Sequence, residues 1–358
     1  MDAVALRAEF PVLEHVAYLN AGTCGPLPTT AVQATSEILA QAAGEGRGQT
    51  YFGAMLDTRE RLRAGYAQLL GAAAEDVALT TSTSEGIVRV LAALDLRSGD
   101  EVLTSDEEHP GLQGPLAAAR AQRGIAIRVV PFAQIADAVG PETRLVACSH
   151  VSWVNGAVVR GLSAAGDVPV LLDGAQGIGA VPIDLPALGC AFYAGSGQKW
   201  LCGPIGSGML WVSPQWGDRL PATGPTYLNL ADPGAGLDAV AAASAARHDA
   251  SAQSLETTAA AVAALELLGD AGWPQVHERA AALAATLAEA LADSGREVAR
   301  RDRTTLVSWT DADPAATKVA LAEAGVIVRD LPGTGLLRAS VGAWNDGSDV
   351  ERLLTALP

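Results

Sequence analysis

Between about residues 75 and 215, short runs of aliphatic and β-branched residues alternate with Ala/Leu-rich stretches of helical period. The runs are Asp76–Thr80, Glu101–Thr104, Ile125–Pro131, Arg144–Ser149, Val168–Asp173, Cys190–Gly195 and Gly208–Val212. Strands that alternate with helices predict βα units and a mostly parallel sheet. Several runs are apolar nearly throughout, as expected of strands covered by helices on both faces. After about residue 250 the texture changes. Long helical patterns span Thr257–Leu268 and Pro274–Asp293. Short strands at Thr305–Trp309, Val326–Arg329 and Leu336–Ser340 are interspersed with helices Pro314–Ala324 and Ser348–Leu354. The pattern predicts an α/β chain with a large domain over residues 16–250 and a smaller α+β domain over 251–358, with residues 1–15 packing against the smaller one. Segment 218–246, rich in Pro, Gly, Ala and Asp, reads as a loop or insertion, and no internal repeat is found.

Composition narrows the classes. The 358 residues are 49 % hydrophobic and 18 % charged, enough for a sizeable core and unlike a disordered chain. A net charge of −16 argues against nucleic acid or an anionic membrane as partner. It leaves open a single phosphate held by backbone amides at a helix start. No basic-then-apolar leader and no apolar run of about 18 residues is seen, so a cytoplasmic location is expected. The four cysteines, Cys24, Cys148, Cys190 and Cys202, lack CxxC spacing, which predicts isolated reduced thiols and no metal site.

In an open α/β sheet, ligands bind outside the carboxyl ends of the strands, and polar clusters sit at several such ends. Thr80-Thr81-Ser82-Thr83-Ser84-Glu85-Gly86 precedes an apolar-periodic run. Its helix start offers free amides, and Ser84 reads as a cap with a phosphate-binding hydroxyl or as an ordinary N-cap. Asp173 closes the run VPVLLD, where a carboxylate needs a partner, or else is solvated or capping. A pyridinium nitrogen is one such partner. Of the 24 Lys and Arg residues only two are lysines, Lys199 and Lys318. Lys318 lies in a peripheral helical pattern; Lys199 follows a strand, beside small residues, in Ser196-Gly197-Gln198-Lys199-Trp200. A Schiff base needs a primary amine, which Arg cannot supply. His109, in Glu107-Glu108-His109-Pro110, is placed either to stack on a planar ring or in a surface turn.

Taken in order, these segments resemble the class V aminotransferase family of fold-type I pyridoxal 5'-phosphate (PLP) enzymes, which includes the cysteine desulfurases. The resemblance covers nearly the whole chain: Tyr18-Leu19-Asn20-Ala21-Gly22, TSTSEG, EEHPG, Ser149-His150, DGAQ, SGQKW with GPIGSG, and Arg338-Ala339-Ser340-Val341-Gly342. It implies PLP as cofactor, with Lys199 as its Schiff-base lysine, Asp173 at the pyridine nitrogen and Gln176 at the phenolic oxygen. His109 would stack on the ring. Ser84, the amide of Glu85, Ser196 and Gln198 would complete the cofactor contacts. Arg338 would clamp a substrate α-carboxylate, a role that suits its bidentate fork, with Ala21, Gly22 and Trp153 beside the substrate. The resemblance also implies a two-fold homodimer. The chain departs from the family pattern in three places. Gln198 replaces a His before the lysine, Trp153 stands where desulfurases carry Asn, and Ala252 falls where a phosphate-reaching hydroxyl is usual, with Ser251 as the substitute.

Desulfurases of the usual kind carry a nucleophilic Cys shortly before the carboxylate-binding Arg, and residues 300–337 contain none. Among relatives, the resemblance is strongest to the cystine/cysteine C–S lyases, which perform β-elimination on a small sulfur amino acid without such a Cys. An aminotransferase, an epimerase of the isopenicillin N type, a persulfide-forming desulfurase through Cys24 or Cys202, and a non-catalytic PLP-binding sensor remain the alternatives.

Overall fold

The computed structural model describes residues 1–358. In chain order, helix α1 (Ala3–Ala8) leads to strand β1 (Ala17–Tyr18) and helices α2 (Thr29–Glu45) and α3 (Gln49–Leu70). Then follow β2 (Val77–Thr80), α4 (Thr83–Ala93), β3 (Glu101–Ser105), α5 (Pro110–Arg123), β4 (Ala126–Val130), β5 (Thr143–Ser149), β6 (Val170–Asp173), α6 (Leu185–Leu188), β7 (Phe192–Ser196) and β8 (Gly208–Val212). The remaining elements are α7 (Leu255–Ala271), α8 (Trp273–Asp293), β9 (Leu306–Thr310), α9 (Pro314–Glu323), β10 (Val326–Ile327), β11 (Arg329–Leu331), β12 (Leu336–Ser340) and α10 (Gly347–Ala356).

Strands β2 to β8 form one seven-stranded sheet of order β2-β8-β7-β6-β5-β3-β4, in which only β8 runs antiparallel to its neighbours. The seven runs picked out by the hydrophobic pattern are its strands, with ends shifted by at most two residues. Their continuous apolarity comes from two-sided burial. In β5, Val146 and Cys148 face a core shared with Leu62, Tyr66 and Leu265 of α3 and α7. Leu145 and Ala147 face the opposite core, with Ile87 and Val90 of α4 and Leu112 and Leu116 of α5. Residues 29–70, to which the pattern assigned no element, are the helices α2 and α3, and α3 lays one face of Leu62, Tyr66 and Leu70 on the sheet.

A three-stranded antiparallel sheet, β11-β12-β9, forms around Val307, Trp309, Leu337 and Ala339, covered by α8 and α10. The expected strand Val326–Arg329 is divided. Val326 and Ile327 pair with β1, whereas Arg329 begins the ladder with β12. The chain start is tied to the same region: Arg7 binds Asp349 at 2.7 Å, and the rings of Phe10 and Trp344 lie 5.1 Å apart. Segment 218–246 contains short 3-10 turns and one isolated bridge, Leu230 to Ala241, as its loop-like composition predicts. Across the C-terminal ends of the parallel strands lies a row of polar positions, Ser105, Ser149, Asp173 and Ser196.

Candidate active site

Asp173 ends β6 and is buried. One carboxylate oxygen accepts from the Ala175 amide at 2.9 Å, and burial raises the carboxyl pKa while the Lys199 charge opposes the rise. The turn after it lies directly on two buried rings. A Cβ on Gly174 would overlap the Tyr193 ring, and one on Gly177 would overlap His150 and the Tyr193 hydroxyl. His150 Nδ1 and Tyr193 Oη are 3.0 Å apart, so glycine at both positions lets the turn rest on a hydrogen-bonded platform. Gln176 is also buried; its Nε2 donates to the Gly22 carbonyl at 2.8 Å and its Oε1 accepts from the Trp200 indole at 3.0 Å.

Lys199 follows β7 in a tight turn closed by Cys202 N–H to the Lys199 carbonyl, 3.2 Å. Cys202 holds φ at +54°, a left-handed conformation that costs a non-glycine residue energy and marks a turn held by its surroundings. Burial lowers the Lys199 pKa to about 8; Arg338 and Arg329 push the same way, and Asp173 opposes them. A lysine so placed gives up its proton far more readily than an exposed lysine of pKa 10.5. Lys318, by contrast, forms a surface pair with Asp330 at 2.6 Å.

His109 is the N-cap of α5, its Nδ1 accepting from the Gly111 amide at 3.0 Å. That bond leaves the ring proton on Nε2, and burial together with Lys199 lowers the pKa to about 4, so the imidazole is neutral at physiological pH. Trp153 meets it edge-on, 5.0 Å between centroids at 90°. Arg338 is fully buried on β12; Nη1 donates to the Trp153 carbonyl at 2.5 Å, while Nε and Nη2 have no partner. Burial and the nearby Arg329 lower its pKa to about 9. Gly22, beside buried Ala21, gives this guanidinium room: a Cβ there would stand 3.0 Å from Nη2 and 3.1 Å from Gln176 Oε1.

At the start of α4 the cap is Ser82 and not Ser84: Ser82 Oγ accepts from the Glu85 amide at 3.1 Å. Ser84 is displaced into the first helical turn, because the extended residue before the helix is Ser82. Its hydroxyl faces the start of α5, where a Cβ on Gly111 would lie 2.6 Å from it. The Glu85 side chain turns back to Thr81 and Arg89, and its amide is engaged by the Ser82 cap. Ser196 Oγ and Gln198 Oε1 are buried without partners.

The structure therefore gathers Lys199, Asp173, Gln176, His109, Trp153, Gly22 and Arg338 at one cleft, with Ser84 and Ser196 at strand and helix ends beside it. It adds residues the sequence reading missed. Arg329 pairs in register with Arg338 and lies 5.9 Å from the Trp153 ring centroid. Its sequence signal is its place nine residues before Arg338 across a hairpin, which becomes visible only once the register is known. Glu108 is buried beside His109 and bound to Ser105 and Ser149. Among the cysteines, Cys148, Cys190 and Cys202 are buried thiols with raised pKa, and Cys24 alone is partly exposed.

The family model described as aminotransferase class-V matches residues 17–353. A probable cysteine desulfurase of Pseudomonas aeruginosa is 32 % identical over 98 % of this chain and 96 % of its own. Other curated relatives match over part of their length. A probable cysteine desulfurase of Methanothermobacter thermautotrophicus is 34 % identical over 58 % of this chain, and an isopenicillin N epimerase of Amycolatopsis lactamdurans is 32 % identical over 57 %. The chain spans only 56 % of the length of each of these two. Among solved structures, the complex of the cystine C–S lyase C-DES with its reaction product cysteine persulfide superposes with TM-score 0.89 at 26 % identity, over 97 % of this chain and 98 % of that one. A lysine-to-alanine variant of C-DES, with glycine covalently linked to its PLP cofactor, superposes with TM-score 0.90 at the same identity, over 98 % of each chain.

Proposed function

The chain belongs to the class-V aminotransferase family of PLP enzymes, with the fold-type I architecture, and from that premise we propose that it is a C–S lyase acting on cystine, cysteine or a related small sulfur amino acid. The cleft fits the cofactor on its own chemistry. A buried amine of lowered pKa, a buried carboxyl, a neutral imidazole, and the orphaned Ser196 hydroxyl and Gln198 carbonyl form a donor and acceptor set with no use in an empty fold. Lys199 would hold the aldehyde covalently, Asp173 the ring nitrogen and Gln176 the phenolic oxygen. His109 would lie against the ring, and Ser84, Ser196, Gln198 and the Glu85 amide, once released from its bond to Ser82 Oγ, would serve the phosphate side.

PLP when bound acts as an electron sink for negative charge at the substrate Cα. The chain's own residues do the rest. Arg338 binds the α-carboxylate through Nε and Nη2, and Ala21, Gly22 and Trp153 shape the space beside it. Lys199 Nζ, of pKa about 8, accepts the Cα proton. The Cβ–S bond then breaks with both electrons leaving on sulfur. For cystine the balance is cystine plus water giving pyruvate, ammonia and cysteine persulfide.

The observation that favours elimination over desulfuration is the absence of any cysteine in residues 300–337, the stretch leading to Arg338. Incubation of holoenzyme with cystine, cysteine, alanine and cysteine sulfoxides tests it. Pyruvate with ammonia supports the lyase. Alanine with sulfane sulfur, a D-amino acid, or a keto acid with aminated cofactor replaces it by desulfurase, epimerase or aminotransferase. No turnover by PLP-loaded protein would leave a sensor. In the assembly we propose a two-fold homodimer.

A further inference from the structure

Glu107 lies beside the site and has no part in the chemistry above. Half-buried between β3 and α5, it sends both carboxylate oxygens away from its neighbour His109 to a turn of another segment. One oxygen accepts from the Ser152 hydroxyl, and both lie 3.0 Å from Asn155 Nδ2. These two residues bracket Trp153. The turn is anchored on its far side by strand β9 and the residues leading into it: Ser308 Oγ donates to the Val154 carbonyl at 2.6 Å, and Thr304 Oγ1 donates to the Gly156 carbonyl at 2.9 Å. Ser308 is the register partner of Arg338. The Trp153 carbonyl in turn accepts from Arg338 Nη1, the one bond this guanidinium makes within the chain.

A continuous path therefore runs from Glu107, through the Ser152–Asn155 turn, to the orientation of the Arg338 fork. The same turn sets the Trp153 ring against His109. A guanidinium held by a single carbonyl can swivel about that bond unless the carbonyl itself is fixed. Glu107 contributes to that fixation, because it ties both ends of the turn that presents the carbonyl, alongside the turn's own Gly156 N–H to Ser152 carbonyl bond of 3.0 Å. We infer that Glu107 is a positioning residue for substrate carboxylate recognition, acting on Arg338 through the Trp153 turn. The inference rests on reading Arg338 as the carboxylate anchor.

The test uses holoenzyme and two probes read by cofactor absorbance: glycine, which has an α-carboxylate and no β leaving group, and methylamine, which has no carboxylate. Glu107→Ala is expected to weaken glycine about tenfold, the worth of roughly one charged hydrogen bond, and to leave methylamine within about twofold. Asn155→Ala, which cuts the same link from the other side, is expected to reproduce the split and carries the test if Glu107→Ala fails to fold. Glu107→Gln, which keeps one acceptor, is expected to restore most of the glycine affinity. Equal weakening of both probes, or unchanged glycine affinity in both alanine variants, overturns the inference. Arg338→Lys separates it from its premise: if that variant spares glycine binding, the carboxylate-anchor reading itself fails, whatever Glu107 does.

Discussion

Arg329 and Arg338 stand opposite one another in register across the β11–β12 ladder, so two guanidinium groups share one side of the small sheet. Arg338 is the buried member, and two of its three nitrogens are unbonded. Like charges at this spacing are tolerated when an anion joins them. Arg338→Ala is expected to raise the substrate KM far more than it lowers kcat, with kcat/KM falling roughly 10²–10³-fold, as for loss of one partner of a buried charge pair. Steady-state kinetics with cystine check this. A loss confined to kcat would remove the carboxylate role.

Lys199→Arg keeps the charge and loses the primary amine. It is expected to abolish the visible absorbance of the covalently attached cofactor and to lower turnover by roughly 10³-fold or more, within the range assigned to proton transfer combined with covalent catalysis. Spectra and product assays on the purified variant decide it.

Gly22→Ala places a methyl 2.7 Å from Ser340 Oγ and 3.0 Å from Arg338 Nη2. The side chains must give way beside the proposed carboxylate anchor. The expected result is a loss of about 10²-fold in kcat/KM, the cost of misplacing a binding group by about 1 Å, with the protein still folded. Kinetics alongside circular dichroism separate the two effects.

Burial moves the Glu108 carboxyl up to about 7, against the hydrogen bonds from Ser105 and Ser149 that favour its charged form. The folded pKa exceeds the ordinary 4.5, so the stability this group contributes is complete below pH 4.5 and is lost as pH rises through 7. Glu108→Gln does not titrate. Its unfolding free energy relative to the parent should therefore increase between pH 4.5 and 7, by on the order of 3 kcal/mol at most, and then level off. Urea denaturation of the apoprotein at about pH 5 and about pH 8, either side of that window, measures the change, and a pH-independent difference would contradict it.

Asp249 receives Arg59 Nη2 at 2.9 Å, Arg63 Nη2 at 2.8 Å and the Leu79 amide at 2.8 Å, all in the interior. Asp249→Ala would leave the buried Arg59 guanidinium without a partner and remove one of the partners of Arg63, which keeps Glu60 and the Val77 carbonyl, and is expected to cost about 3–5 kcal/mol. Asp249→Asn, which keeps an acceptor for Leu79, should cost less. Denaturant midpoints rank the two.

Much of this was legible along the chain. Runs such as Val170–Asp173 and Gly208–Val212 announce buried strands because both faces of the sheet are covered, and apolar residues at every position mean two cores. Lys199 stood out because lysine is nearly absent, and Asp173 because a carboxylate ends an apolar strand. The cap at α4 was misplaced by two residues, since Ser82 and Ser84 both carry the hydroxyl a cap needs and only backbone geometry chooses between them.

Local pattern thus determined the α/β class and the strands, and singled out Lys199 and Asp173 as candidates, since burial and side-chain chemistry are written residue by residue. Which side chains meet was decided in three dimensions. The facing of Arg329 and Arg338, the reach of Glu107 to Ser152 and Asn155, and the platform of His150 and Tyr193 under Gly174 and Gly177 all join residues that local pattern does not pair. Each depends on strand register and sheet order, and shifting a register by one residue would turn every side chain to the other face.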